Sequence, residues 1–437
     1  MSAAAVIANK SVPKGAESVR ASFLRVSVGL AIYSASQWAI VAVLAKLGTP
    51  ELVGQYALGV ALTTPVLMLA QMNLRVVLAT DVYEVHSFRQ YRNLRFGLLA
   101  LAMVVILGLA FQQAQGRDRI LVIVLVGLIQ AGEWISDIFL GRMQQQGRIG
   151  RTAPALMARG ILGVIALAAG LRFSGSLVIA LVWSLVCRNL VFFAYESTFA
   201  LRGFPPDGPP APASREWAAQ WEILKKALPL GIVLMLNALV LNAPRYFVAA
   251  SLGERALGIF SAIFSLATAG NLIMNSLGQS ATTRLARLHM ASDASGFLRL
   301  ALKMAALGVA IALAGLVCAA TIGPWALRLV YRQEYADHAS LLVVAMAAAG
   351  IGFVATLLGY TITAARRFTQ QMPLQLACLA ATALASFVLV PRIGLTGAAL
   401  SVGIGSLVQM LGEAWILRQV LAEMRSVSSR SSQAVMA

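Results

Sequence analysis

The sequence predicts an all-α membrane protein of twelve spans in two six-helix lobes, and three observations predict it. Hydrophobic residues make up 59% of the 437-residue chain and charged residues 12%, with a mean hydropathy of +0.78. A water-soluble globule carries about a quarter charged residues, so the polar surface here is too small for one. The apolar residues are gathered in blocks of about 20, the helix length that crosses ~30 Å of hydrocarbon at 1.5 Å per residue. No alternating pattern of the barrel kind is present, so the spans are helices. Finally, one short motif occurs twice, each time after the first span of a half of the chain.

The spans fall near 24–46, 52–73, 96–113, 119–140, 153–171, 176–197, 228–250, 256–279, 299–321, 339–361, 372–390 and 394–417. Residues 1–23 form an expected cytoplasmic tail with no apolar core, which leaves the first span as the uncleaved insertion signal. The amino-terminal lobe is expected over 24–197 and the carboxy-terminal lobe over 228–417, with a second cytoplasmic tail at 418–437. Between the lobes, residues 198–227 hold five prolines from Pro205 to Pro212, a stiff and extended spacer. Just beyond it, Trp217, Trp221 and Leu224 share a helical face beside Lys225 and Lys226, the pattern of a short interfacial helix lying on the inner leaflet.

Orientation follows from the basic residues. With the amino terminus in the cytoplasm, the inner segments hold 24 lysines and arginines and the outer segments 8, while Arg159, Arg188 and Arg245 remain inside spans. That asymmetry puts both termini in the cytoplasm and accounts for most of the net charge of +18 without a nucleic-acid partner. Cys187, Cys318 and Cys378 lie in apolar spans, and His86, His289 and His338 are scattered over different loops. Neither set has the spacing of a metal site or a disulfide framework, and no cofactor is expected. The outer loops are short, the longest running over 321–338, so an enzyme with an external active site, such as a polymerase or sugar ligase, is not expected.

The repeat pairs LGTPELVGQYALGVAL (47–62) with LGERALGIFSAIFSL (252–266), in which Gly54 and Gly258 open the second helix of each half. Six spans separate the copies, so both halves keep the same orientation and are related by a pseudo-two-fold axis along the membrane normal, a transporter plan. In ASQWAIVAVLAKLGTPELVGQYALGVALTTP (35–65), NLRVVLATD (73–81) and APRYFVAASLGERALGIFSA (243–262), the chain resembles bacterial polysaccharide exporters of the O-antigen and exopolysaccharide flippase type. Their superfamily also holds multidrug extruders and lipid II flippases. The resemblance implies alternating access around a central cavity, which moves an undecaprenyl-pyrophosphate-linked oligosaccharide from the inner to the outer leaflet. It also implies work alongside membrane lipids, glycosyltransferases and a polysaccharide polymerase. The alternative is a multidrug extruder of the same fold, driven by an ion gradient.

Such a cargo needs cations and hydrogen-bonding groups at membrane depth. Arg245 is the first candidate: it lies within the seventh span beside Pro244, which leaves the Val240 carbonyl without its helical donor. It either lines the cavity or snorkels outward to the headgroups with Tyr246. Alignment of the repeats sets Asn242 opposite Gln37; Tyr33 and Gln37 share one face of the first span, as Asn271 and Asn275 share one of the eighth. These amides and the phenol bind sugar if they face the cavity, and otherwise bond neighbouring helices. Glu133, Asp137, Arg159 and Arg188 form a second charged group over spans four to six, either mutually neutralising or coupling transport to an ion or phosphate. Glu413 is expected to pair with Arg418 near the inner interface.

Overall fold

The computed structural model of the chain describes residues 19–80, 86–113, 116–145, 150, 152–198 and 213–436. The expected proline spacer at 205–212 and nearly all of the expected amino-terminal tail lie outside them. Among the described residues, ten helical stretches are long and apolar enough to cross a membrane, and two of them are each broken into two crossings, which gives twelve. The first six crossings are Val19–Leu47, Pro50–Gln71, Phe88–Gln112, Arg117–Gln145, Thr152–Ser174 and Leu177–Val191, the last continuing through a π turn at Phe192–Glu196. The helix Ala213–Ala267 is broken at Gly253, where the seventh crossing gives way to the eighth. The eighth then passes a 3₁₀ turn at Thr268–Gly270 and runs on through Asn271–Met290. Ala294–Thr321 and Ala339–Ala364 are the ninth and tenth. Phe368–Met436 supplies the last two, parted at Ile393 and Gly394.

Lipid dictates the character of each helix. In the third crossing Tyr91, Leu99, Ala102, Ile106 and Ala110 are buried, while Leu101, Val104, Leu107 and Phe111 are exposed on the other side. Both faces are apolar, as a spanning helix requires, since its backbone groups are satisfied internally and its outer face meets hydrocarbon. Several sequence boundaries move by a turn or more. The third crossing begins at Phe88 rather than near 96, because Ser87 and Gln90 form a capping box that starts the helix in the basic segment. The expected separate interfacial helix is continuous with the seventh crossing: Ile223 and Ala227 are buried against Met72, Leu74 and Phe88, and this packing carries the helix through to Gly253. Trp217 and Trp221 stay exposed on its other side.

Gly253 has φ 83°, a left-handed conformation that costs glycine little and other residues more, so the chain reverses there without a loop. We call the end of the bundle with this reversal distal, and the opposite end, where the first crossing starts and the last finishes, proximal. The two repeats meet at the distal end in a reciprocal contact. A Cβ on Gly54 would lie 1.9 Å from the carbonyl oxygen of Glu254, and one on Gly258 would lie 1.8 Å from that of Pro50. Pro50 and Glu254 are themselves equivalent in the repeat, at the same offset as Gly54 and Gly258. Each second helix therefore packs its glycine on the other's first turn, as a two-fold axis between the lobes demands.

Polar contacts reinforce this closure. Gln55 donates to Glu254 at 3.0 Å, Arg119 pairs with Glu254 at 2.5 Å, and Arg255 spans Glu51 at 3.0 Å and Glu334. Lys46 donates to the Leu329 carbonyl at 3.0 Å, and Arg332 to the Lys46 carbonyl at 2.9 Å. Toward the proximal end, the eighth crossing turns Leu272, Ile273, Asn275 and Ser276 outward, and the first crossing exposes Val28 and Leu30. The lobes are thus bound together distally, and proximally the seventh crossing still packs on the amino-terminal lobe through Ile223, Ala227 and Gly231, while these parts of the first and eighth crossings are exposed.

Candidate functional site

Each lobe holds its own partly open cavity. The first, of about 210 Å³, is walled by crossings one, two, four, five and six, and Gln37, Tyr56, Thr64, Gln130, Glu133, Trp134 and Ser184 are its polar and aromatic lining. The second, of about 400 Å³, is walled by crossings seven, eight, ten, eleven and twelve, the equivalents of the first set.

The charged side chains of the amino-terminal lobe are held by helix spacing. Glu133 and Asp137 lie one turn apart on the fourth crossing but take different partners. Glu133 pairs with Arg188 of the sixth crossing and accepts a hydrogen bond from Gln37 at 3.1 Å. The Tyr33 hydroxyl sits beside both members of this pair. Asp137 faces the proximal end, where Arg75 reaches it at 3.0 Å and the fully buried Arg95 at 3.9 Å. Arg159 pairs instead with Glu196 at 3.5 Å, and Ser136 donates to that same carboxylate. The single network expected of Glu133, Asp137, Arg159 and Arg188 is therefore three separate clusters. The reason is geometric: Arg159 enters from the proximal end of the fifth crossing, level with the π turn that brings Glu196 inward, whereas Arg188 lies about two turns deeper on the sixth.

These clusters hold four guanidiniums, Arg75, Arg95, Arg159 and Arg188, against three carboxylates, Glu133, Asp137 and Glu196. Arg245 adds a further positive charge from the facing lobe. Its Nη1 donates to Asn242 Oδ1 at 2.6 Å, its Nε is buried without a partner, and no carboxylate among the described residues lies within ion-pair distance. The outward-snorkelling alternative does not describe this placement. Arg245 lines neither cavity wall itself but lies within electrostatic reach of Tyr56, which lines the first. Asn242 is not an open amide matching Gln37: it is buried, donates to the Ala238 carbonyl at 2.8 Å and supports Arg245. Next to it, the Tyr246 hydroxyl donates across the lobe boundary to the Ala61 carbonyl.

Tyr33, Gln37, Glu133 and Arg188 are thus brought together with Tyr56, and Arg245 approaches them from the other lobe. Asn271 and Asn275 are elsewhere, on the wall of the carboxy-terminal cavity with Asn237, Tyr360 and Gln371. Glu413 joins them there, correcting the expected interfacial pair with Arg418. Its side chain is 5% exposed and accepts from Gln409 at 3.0 Å, while Arg418 is exposed. Sequence reasoning missed Glu196, Tyr56 and Gln375. A signal existed for Glu196, which ends the apolar run FFAYE; tyrosines and glutamines inside spans are too ambiguous to choose without the fold.

Two lobes of six crossings, joined distally and each with an equivalent cavity, are the architecture of a multi-pass membrane protein with the fold of known transporters. No protein-family model matches the chain. Its fold is that of the multidrug/oligosaccharidyl-lipid/polysaccharide exporter (MOP) superfamily. The structure overlays an inward-facing multidrug resistance MATE family transporter of that superfamily with a TM-score of 0.73 at 15% identity, over 93% of this chain and 99% of the other. The outward-facing conformation of a MATE family transporter overlays at 0.60 and 14% identity, over 93% and 96%. A MOP superfamily transporter from Pyrococcus furiosus, described as having a binding pocket of reverse polarity, overlays at 0.62 and 15% identity, over 93% and 96%. In sequence the chain is 25% identical over 384 residues to the capsular polysaccharide biosynthesis protein CapF of Staphylococcus aureus, covering 87% of this chain and 94% of that protein. The chain is thus similar in sequence to a capsular polysaccharide biosynthesis protein and in fold to transporters of the MOP superfamily, in line with the resemblance expected from its sequence.

Proposed function

We propose that the chain is an alternating-access flippase that moves an undecaprenyl-pyrophosphate-linked oligosaccharide from the inner to the outer leaflet of the bacterial cytoplasmic membrane. The flipped unit would serve O-antigen, capsule or exopolysaccharide synthesis. The observation that carries this reading is Arg245, a guanidinium at the lobe boundary with no carboxylate partner among the described residues. An unpaired charge at membrane depth costs several kcal/mol, and a mobile anionic ligand would offset that cost. A pyrophosphate offers paired oxygens to a guanidinium. The relation to CapF supports the glycan end of the assignment. In this reading the proximal end faces the cytoplasm, in keeping with the basic asymmetry of the sequence, and cargo enters between the exposed proximal parts of the first and eighth crossings. The Gly54 and Gly258 contact then opens as the lobes rock, releasing cargo distally. Glycosyltransferases would supply the cargo and a polymerase would consume it.

The fold neighbours keep the multidrug extruder as a second reading, and one experiment separates the two. Cells lacking the native copy are complemented with Arg245 variants, and surface polysaccharide is measured against membrane protein level. Arg245→Lys should keep part of the export, while Arg245→Ala and Arg245→Glu lose it. Wild-type export by well-expressed Arg245→Ala would remove Arg245 from the site and leave the flippase reading on the resemblance and the repeat alone, whereas resistance to cationic drugs conferred by the wild type with no change in polysaccharide would remove the flippase reading.

A further inference from the structure

The carboxy-terminal cavity has a chemistry the pyrophosphate does not use. No lysine or arginine lines it; its polar wall consists of amides, hydroxyls and one carboxylate, Glu413. Two of these groups are incomplete. Glu413 Oε2 and Gln375 Oε1 are both buried and without a hydrogen-bond partner, and both belong to the lining. The Gln375 oxygen is an acceptor, so its missing partner is a donor; the Glu413 oxygen accepts when the carboxyl is ionised and donates when it is protonated, and a hydroxyl meets either. Leaving a buried acceptor unpaired costs about 1–3 kcal/mol, a penalty that a native site accepts where a ligand or solvent completes it.

An anion would meet no cation on this wall. A bare cation suits the charge but not the space. At about 400 Å³ the cavity falls among small-molecule sites of about 300–1,000 Å³, far above the ~30 Å³ share of one water. Among the described residues, no three His, Cys, Asp or Glu side chains gather here or elsewhere. A neutral ligand with many hydroxyl donors, each also able to accept from Asn237 or Asn271, meets every condition. Tyr360 lies on the wall with its hydroxyl donating to Asn275 Oδ1 at 3.3 Å, and its ring gives the apolar face of a sugar a surface.

We propose that this cavity is a glycan subsite, holding neutral sugar rings of the cargo through Glu413 and Gln375 while the pyrophosphate stays at the lobe boundary. The proposal rests on the flippase reading and extends it: the carboxy-terminal lobe reads the sugar, and Glu413 and Gln375 set specificity.

The test uses the full chain purified in lipid nanodiscs and neutral di- to tetrasaccharides released from the host's own polysaccharide, free of lipid and phosphate. Equilibrium binding should be measurable for the wild type. It should weaken about fivefold to tenfold in Gln375→Ala and in Glu413→Ala, the factor that one lost hydrogen bond of about 1 kcal/mol produces. Glu413→Gln keeps an acceptor and should stay within about twofold of the wild type. Absence of saccharide binding to the folded wild type overturns the subsite, as does binding indifferent to both alanine variants. So does a Glu413→Gln defect in export and saccharide binding as deep as that of Glu413→Ala, which marks a cation-binding carboxylate instead. If Glu413→Ala does not fold, Gln375→Ala alone decides. Failure of the flippase reading looks different: the wild-type chain then fails to restore surface polysaccharide, whatever it binds in nanodiscs.

Discussion

The two cavities occupy equivalent places in the repeat, yet their carboxylates live in opposite surroundings. In the amino-terminal lobe Glu133 is matched by Arg188, Gln37 and Tyr33; in the carboxy-terminal lobe Glu413 has only the Gln409 amide. The clusters around the first cavity carry an excess guanidinium, and the second has no cation on its wall. Duplication preserved what holds the lobes in register: the glycine pair, the helix breaks and the cavity walls. It did not preserve charge. A cargo with an anionic end and a neutral end suits two such lobes, and a small uniform substrate would have less use for the asymmetry.

The largest expected effect breaks the paired carboxylate. Arg188→Ala leaves Glu133 ionised and unmatched among buried groups, a loss of about 3–5 kcal/mol, and folded yield in detergent should fall steeply. Arg188→Ala with Glu133→Gln should recover much of it, because the stranded charge is gone. Glu413→Ala strands no partner charge, so its yield should stay near that of the wild type. Normal yield for Arg188→Ala, or no rescue by the double variant, would end the claim that the lobes differ in this way.

How far this asymmetry could be read from the sequence depended on distance along the chain. The twelve crossings and the repeat were legible because lipid imposes a length and a hydropathy on each helix, and because Gly54 and Gly258 recur in one local pattern. Glu133 and Asp137 were visible as a pair four residues apart, but their partners are set by rotation and tilt of three other crossings. Asp137 therefore went to Arg75 and Arg95, which the sequence places in a basic loop. Glu413 departs from its expected pairing for the same reason: Arg418 is near in sequence, but its side chain is exposed while that of Glu413 points inward. Arg119 falls by sequence among the eight basic residues of the outer segments, and in the structure it is almost wholly buried against Glu254.

A second prediction tests what the lobes share. Because a methyl added to either glycine would sit less than 2 Å from a backbone carbonyl oxygen, neither Gly54→Ala nor Gly258→Ala can be absorbed by a side-chain shift. Overpacking of this kind costs about 1–3 kcal/mol, and here it falls on the distally closed state alone. In membranes, a disulfide between Glu51→Cys and Arg255→Cys should form readily in the wild-type background and several-fold less in either alanine variant. Equal loss in the two is the signature of the reciprocal contact. A defect in one and not the other would mean that the two-fold relation fails at the closure itself.

The smallest effect concerns the starts of the third and ninth crossings, equivalent helices with different caps. Ser87 forms a neutral capping box with Gln90, its backbone N–H donating to Gln90 Oε1 at 2.9 Å. Asp293 caps the ninth crossing with a charge, accepting from the Gly296 backbone at 2.9 Å and the Ser295 hydroxyl at 2.8 Å. The Gly296 N–H first, and the Ser295 hydroxyl second, hold the Asp293 carboxyl below the ordinary aspartate range. A folded-state pKa lowered in this way contributes stability that is complete above the unfolded pKa and disappears as pH falls through the folded one. The group is solvent-exposed, so the apparent melting temperature of the purified protein should respond by no more than about 2 °C. Asp293→Asn keeps a capping oxygen but cannot ionise, so the difference from wild type should shrink below pH 4 and level off above pH 5. Ser87→Asp should bring the same acid sensitivity to the amino-terminal lobe. If wild type and Asp293→Asn keep a constant offset from pH 3 to pH 7, the charge of the Asp293 cap is irrelevant and the two junctions are equivalent after all.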